Sequence, residues 1–203
     1  MKKIMAVIFS VIACVELSSH PVIWKDGWAI NYQSSQWGDA FKLHHSLSHQ
    51  WSLGLHTLSM KKETYAMLQS NFLLKRWNGL GSQANLYAFT GLGSSLQKSA
   101  AGIGHLGFQA DWETRRIYTQ FSAHAYLKKQ SHYQSRARIG YSPYLVDYEG
   151  VSTWLILQLD TYHEDKKSRS TVMPVLRFFK DTVLLELGHD FSDHFFMTVM
   201  YHF

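Results

Sequence analysis

Hydrophobic and polar residues alternate with a period of two along nearly the whole chain after residue 27. Strict alternation over several residues is typical of a β-strand whose two faces meet different surroundings. In one of the clearest segments, the apolar face consists of Leu106, Phe108, Ala110 and Trp112. The opposite face consists of His105, Gly107, Gln109 and Asp111. No long window shows the period of an amphipathic helix. The pattern therefore predicts an all-β protein.

The alternation predicts about twelve strands, within a range of about ten to fourteen. The predicted strands lie near residues 27–33, 39–47, 51–60, 64–77, 82–92, 102–113, 116–127, 133–142, 151–162, 171–180, 182–188 and 194–203. Short connections near 48–50, 78–81, 114–115 and 180–181 largely alternate with longer or more polar ones near 34–38, 93–101, 128–132, 163–170 and 189–193, although 143–150 is a longer loop on the side of the short turns. This arrangement is typical of a transmembrane antiparallel up-and-down β-barrel.

A soluble β-sandwich or a lipocalin-like barrel would show the same period, so the placement of aromatic residues decides between these classes. Aromatic residues form 15% of the chain and there are only 3 prolines, which favours strands. With the N-terminus in the periplasm, the strand ends on that side carry Trp28, Trp51, Trp77, Trp112, Tyr141, Trp154, Tyr201 and Phe203. Membrane barrels place such rings at the headgroup level. Trp77 and Trp154 fall on the inward parity, which predicts a bulge or a shifted register.

The last strand carries the most specific pattern. Phe195, Met197, Val199, Tyr201 and Phe203 alternate with other residues, and Phe203 is the last residue of the sequence. This resembles the C-terminal signal of Gram-negative outer-membrane β-barrel proteins. The resemblance implies recognition by the barrel assembly machinery and a location in the outer membrane, surrounded by its lipid and lipopolysaccharide. It identifies a class of protein and no characterised family within it.

The first nineteen residues are predicted to be an export signal. Lys2 and Lys3 precede an apolar run from Ile4 to Val15, which is shorter than the roughly 20 residues of a membrane helix. Cleavage after Ser19 would leave residues 20–203 as a single barrel domain. In the alternative, Val11 to Cys14 resembles a lipobox whose cysteine is lipidated. Cys14 is the only cysteine, which excludes a disulfide scaffold.

Polar and charged residues collect on the inward parity of the predicted strands. The candidates for lining the lumen are Lys42, His44, His105, Asp111, His124, Arg136, Arg138, Asp160, Arg177 and Glu186. In one interpretation these charges pair with each other and fill a closed structural core. In the other they line a narrow channel or a small-solute site, whose slight excess of positive charge favours anions. No cofactor is predicted.

The histidines raise the question of two further kinds of site, a metal site and a hydrolase site. The chain has 12 histidines, but there is no His-x-His pair or carboxylate partner, so no metal site is predicted. His44 and Ser46 have the spacing seen in outer-membrane lipid hydrolases, in which a histidine activates a serine. That face is predicted to be lumenal, whereas those enzymes need access to lipid. Hydrolase activity is therefore the least favoured function.

Basic residues also cluster in the predicted outer loops. These are Lys61, Lys62, Lys98, Lys128, Lys129, Lys166, Lys167 and Arg169. They suit solvated turns, and they also suit contact with lipopolysaccharide phosphates. The formal charge of +5 is not concentrated in a stripe, so nucleic acid is not a predicted partner. The sequence thus predicts an outer-membrane channel or binding barrel, with a structural or lipopolysaccharide-interacting barrel as the alternative.

Overall fold

The structure is a computed structural model that describes residues 20–60, 63–97, 101–147, 150–164 and 167–203. The predicted export signal, with Cys14, lies outside the described residues. The described residues contain twelve strands: β1 Trp28–Ser35, β2 Gly38–Ser48, β3 Trp51–Met60, β4 Glu63–Gly79, β5 Ser82–Ser95, β6 Gly102–Thr114, β7 Ile117–Leu127, β8 His132–Tyr141, β9 Ser152–Glu164, β10 Lys167–Lys180, β11 Val183–His189 and β12 Phe195–His202.

Each strand pairs antiparallel with the strands before and after it in the chain, and β1 pairs with β12 to close the barrel. The backbone of the first and last strands is joined directly at the seam. The Trp28 N–H donates to the Phe203 carbonyl at 2.7 Å, and the Phe203 N–H donates to the Trp28 carbonyl at 2.9 Å. The prediction of an up-and-down barrel of about twelve strands is confirmed. In the described part of the chain, no helix is long and apolar enough to cross a membrane.

The two ends of the barrel are called here the termini end, where β1 begins and β12 finishes, and the far end. The strands reach further at the far end than the pattern predicted. β1 continues to Ser35 and β2 begins at Gly38, whereas a longer connection was expected at 34–38. β9 likewise continues to Glu164, and β10 begins at Lys167. These expectations were wrong because strands that extend past an apolar zone need no apolar outward residues, so the alternation stops before the strand does.

Gly38 permits the tight connection between β1 and β2. Its φ of 131° lies in the region that favours glycine. A Cβ there would lie 2.0 Å from the carbonyl oxygen of Ser59, so only glycine fits where β2 begins against β3.

The outward face is apolar and the inward face is polar. Leu106, Phe108, Phe121 and Leu157 are exposed on the outside, and Gln158 is fully buried inside. The exposed aromatic residues near the termini end are Trp28, Trp51, Trp77, Trp112, Tyr141, Tyr201 and Phe203. The five residues of the predicted assembly signal, Phe195, Met197, Val199, Tyr201 and Phe203, all lie on the outward parity of β12 or just beyond its end.

The two tryptophans with inward parity have different explanations. In β4 the register shifts between Leu73 and Lys75, so a bulge turns Trp77 outward, where it is 51% exposed. The period of two alone would turn Lys75 inward, but the same bulge turns Lys75 outward and Arg76 inward. Trp154 has no such bulge and is 2% exposed in a core cluster with Tyr118 and Phe196. Its place in the outer aromatic ring was therefore predicted wrongly.

Candidate functional site

The interior of the barrel gathers most of the polar side chains. The structure places all ten candidate residues on the inward face: Lys42, His44, His105, Asp111, His124, Arg136, Arg138, Asp160, Arg177 and Glu186. They divide into two groups on opposite sides of the lumen. The wall from β8 to β12 holds the ion pairs, and the wall from β2 to β7 holds Lys42, Asp111 and the three histidines.

On the first wall, two carboxylates hold three guanidinium groups. Arg136 donates to Asp160 through Nε at 2.6 Å and through Nη2 at 3.2 Å. Arg138 donates to both carboxylate oxygens of Glu186, at 3.0 and 3.1 Å, and Arg177 Nε donates to the same residue at 2.7 Å. Bidentate pairs of this type are strong and fix the position of both partners.

Aromatic rings complete this wall, which we call the ion-pair wall. The guanidinium carbons of Arg136 and Arg138 lie 4.9 Å and 5.5 Å from the centroid of the Phe196 ring. The guanidinium carbon of Arg177 lies 4.3 Å from the centroid of the Tyr118 ring. These cation–π contacts lend further stabilisation to buried cations.

The opposite wall, from β2 to β7, is joined mainly by neutral groups, and we call it the neutral wall. His56 Nδ1 donates to Gln69 Oε1 at 2.6 Å, and Gln69 Nε2 donates to Asn71 Oδ1 at 2.6 Å. Asn71 Nδ2 then contacts Ser52 Oγ at 2.9 Å and also His44 Nδ1. The chain of hydrogen bonds crosses β2, β3 and β4 without a carboxylate, ammonium or guanidinium group.

Lys42 and Asp111 are the two charges of this wall among the predicted residues, and neither has an ion-pair partner among the residues that the structure describes. In the part of the chain that the structure describes, no carboxylate lies within 4.0 Å of the Lys42 ammonium. Asp111 accepts from two amides, Asn85 at 2.8 Å and Gln109 at 3.0 Å. Beside them, His105 and His124 are joined through their ring nitrogens at 3.1 Å. Among the predicted lumenal cations, Lys42 is therefore the one without an ion pair in the described part of the chain.

The lumen holds two cavities that meet at a shared set of residues. One, of about 70 Å³, opens toward the far end. The other, of about 150 Å³, lies in the middle of the barrel. Both are lined by Gln33, Lys42, Ser122, His124 and Arg136. We call this set the constriction, and it places the Lys42 and Arg136 side chains where a solute would pass from one cavity to the other.

A third cavity, of about 360 Å³, lies at the termini end and is separated from the central one by residues 20–27. These residues, the N-terminal segment, fold back into the barrel. His20 Nδ1 lies 2.7 Å from Tyr87 Oη, and the Pro21 carbonyl accepts from Ser52 Oγ at 3.0 Å. Sequence analysis missed this feature. The available signal was a stretch between the predicted export signal and the first strand, with Pro21 and Val22, that lacks the alternation of a strand.

The remaining predicted features have other places in the structure. His44 and Ser46 share the inward face, but no hydrogen bond joins their side chains in the described residues, and Ser46 Oγ instead accepts from the Ile23 N–H at 3.1 Å. Among the described residues, no group of three or more potential metal ligands is placed to hold an ion. Lys129, Lys167 and Arg169 are exposed at the far end. Lys61, Lys62, Lys98 and Lys166 lie outside the described residues, and contact with lipopolysaccharide stays a prediction.

Comparison with known proteins identifies the fold. No protein-family model matches the chain, and no curated protein sequence matches it. Solved structures do match it, among them a KdgM porin and a KdgM porin in complex with disordered oligogalacturonate. Each of these two structures has a TM-score of 0.57 and 13% sequence identity to this protein. Each match covers 87% of this chain and 98% of the porin chain. This chain therefore has a porin-like barrel fold.

Proposed function

We propose that this protein is an outer-membrane channel that passes small anionic solutes through a narrow lumen. The observation that most directly supports this proposal is the constriction, where Lys42 and Arg136 line both lumenal cavities. The outward apolar face, its ring of aromatic residues and the aromatic last strand support a location in the outer membrane. In this membrane the termini end faces the periplasm and the far end faces outward.

The charges inside the lumen favour anions over cations. Arg138 and Arg177 share the single carboxylate of Glu186, and Lys42 has no carboxylate within ion-pair distance in the described part of the chain. The one carboxylate without a cationic partner among the predicted residues, Asp111, accepts from two amides that partly satisfy it. A positive constriction raises the local concentration of anions and lowers that of cations.

The size of the cavities limits the solute. Cavities of about 70 and 150 Å³ hold an inorganic anion or a small carboxylate with its waters. One of the structural neighbours was solved with a disordered oligogalacturonate. For the present chain, the volume at the constriction favours solutes smaller than an oligosaccharide.

The experiment is a measurement of reversal potential in planar bilayers under a KCl gradient, with wild type, Lys42→Gln and Lys75→Gln. Lys75 is the matched control, because the bulge in β4 places it on the outside of the barrel. Lys42→Gln should shift the reversal potential toward that of K⁺, and Lys75→Gln should leave it unchanged. Equal shifts in both variants would show that Lys42 has no special role. A barrel that folds but carries no current, both with and without residues 20–23, would favour the alternative, a structural barrel with a closed lumen.

We also propose that the outward residues of β12 form the signal for assembly. Tyr201 and Phe203 are exposed and stack with their ring centroids 5.3 Å apart, whereas His202 between them points inward and is buried. Replacing Tyr201 and Phe203 by Ala should lower the yield of heat-modifiable barrel in membranes more than His202→Ala. Equal yields for these variants would contradict this role.

A further inference from the structure

The N-terminal segment lies across the lumen between two cavities. His20 and Pro21 line the central cavity, and His20, Val22, Ile23 and Trp24 line the cavity at the termini end. A solute that crosses the constriction toward the termini end therefore meets this segment next. The lumen in this conformation is closed on that side by a part of the chain that does not belong to the barrel wall.

The segment is held by one or two contacts from each of several strands. The Pro21 carbonyl accepts from Ser52 Oγ of β3 at 3.0 Å and from Asn71 Nδ2 of β4 at 3.3 Å. The Val22 side chain joins a buried apolar cluster with Leu73, Tyr87 and Phe89. These contacts are all on the neutral wall, and hydrogen bonds and apolar packing hold Pro21 and Val22 there.

The base of the segment is attached differently. The Asp26 N–H donates to the Ser46 carbonyl at 2.8 Å, and the Ser46 N–H donates to the Gly27 carbonyl at 2.9 Å. The Gly27 N–H also donates to the Trp24 carbonyl at 3.2 Å, and Asp26 has a φ of 64°. This turn extends the pairing of β1 with β2 and then directs the chain back into the lumen. It is a fixed attachment, beyond which residues 20–23 are held only by the contacts inside the barrel.

We propose that the N-terminal segment is a gate of this channel, closed when Val22 occupies its apolar cluster and open when residues 20–23 leave the lumen. The proposal rests on the proposed function, because a gate needs a conducting pore. With cleavage predicted after Ser19, His20 begins the mature chain, so residues 20–23 are tethered at one end only. Segments held by few buried contacts open locally at a lower free energy than the rest of a fold.

The test compares two chains refolded in detergent, residues 20–203 and residues 24–203, by single-channel recording. The shorter chain should show a severalfold higher mean current through longer openings, with unchanged preference for anions. A substitution tests the same point without shortening the chain. Val22→Asp should raise the open fraction, because a carboxylate is not tolerated in the apolar cluster, and Val22→Ile, which keeps an apolar side chain, should behave as the wild type.

The outcomes separate this proposal from the proposed function. If all chains conduct equally, the channel stands and the gate is wrong. If neither the shorter chain nor Val22→Asp conducts while both remain heat-modifiable barrels, the channel itself is wrong. If the shorter chain conducts more and Val22→Asp matches it, the gate is supported.

Discussion

The two walls of the lumen stabilise their buried polar groups by different kinds of contact. On the ion-pair wall, Arg136, Arg138 and Arg177 are fixed by the carboxylates of Asp160 and Glu186. On the neutral wall, imidazole and amide groups pass hydrogen bonds from one to the next, and Lys42 lacks a carboxylate partner in the described residues. The first arrangement is costly to disturb, because a buried charge that loses its partner is strongly destabilising. The hydrogen-bonded groups of the neutral wall can exchange partners at a lower cost in free energy.

This difference assigns different roles to the two walls. The ion-pair wall links β8, β10 and β11 along one side of the lumen and supports the shape of the barrel. The neutral wall provides contacts for the N-terminal segment and also Lys42, which shares the constriction with Arg136 of the ion-pair wall. Stability should therefore depend more on Glu186 and its partners than on Lys42, which the following predictions examine.

The largest effect is expected on the ion-pair wall. Glu186→Gln leaves Arg138 and Arg177 without their shared carboxylate, and removing one partner of a buried ion pair typically costs about 3–5 kcal/mol. The variant should unfold at a lower temperature in detergent gels, where folded and unfolded barrels migrate differently. A variant as heat-resistant as the wild type would show that these contacts do not hold the barrel together.

A smaller effect is expected from the corresponding change on the neutral wall. Gln69→Leu leaves the His56 N–H donor and the Asn71 oxygen without the partner that joins them. An unsatisfied buried polar group costs about 1–3 kcal/mol. The same gel assay should show a smaller loss of heat resistance than for Glu186→Gln. The reverse order of the two variants would contradict the division between the walls.

Removing the Lys42 charge should cost still less stability. Lys42→Met retains most of the apolar stem and breaks no ion pair that the structure describes. Its unfolding temperature should equal or exceed that of the wild type, because an unpaired cation is removed from the lumen. A loss as large as that of Glu186→Gln would mean that Lys42 belongs to the network that holds the barrel together.

The smallest effect is expected outside the lumen, at the turn between β11 and β12. The Ser192 hydroxyl, helped by the N–H groups of Ser192 and His194, holds the pKa of Asp190 below its usual range. Since the folded pKa is the lower one, this stabilisation is present above the unfolded pKa of the carboxyl and is lost as pH falls through the folded value. Asp190→Asn should speed amide exchange at Ser192 and His194 at neutral pH without changing heat resistance. A lower unfolding temperature would contradict a purely local role.

The sequence predicted the strands, their inward faces and the candidate lumenal residues, because the alternation shows to which face of a strand each side chain points. It did not predict which residues meet across the lumen. Arg138 of β8 contacts Glu186 of β11, two strands that are not neighbours, and their relative depth depends on strand tilt and stagger. The outward turn of Trp77 depends on a bulge that alternation signals only as an inconsistency. The N-terminal segment was missed because its contacts come from several different strands and leave no periodic pattern.

The central claim is that the lumen conducts and selects small anions at the constriction. The most direct test is the reversal potential of the wild-type channel with KCl on one side and potassium gluconate on the other, since this potential does not depend on how often the gate is open. A permeability order of chloride above gluconate, with K⁺ lowest, is predicted from the positive charge and small volume at Lys42 and Arg136. A current carried mainly by K⁺, or equal permeability to chloride and gluconate, would contradict the account.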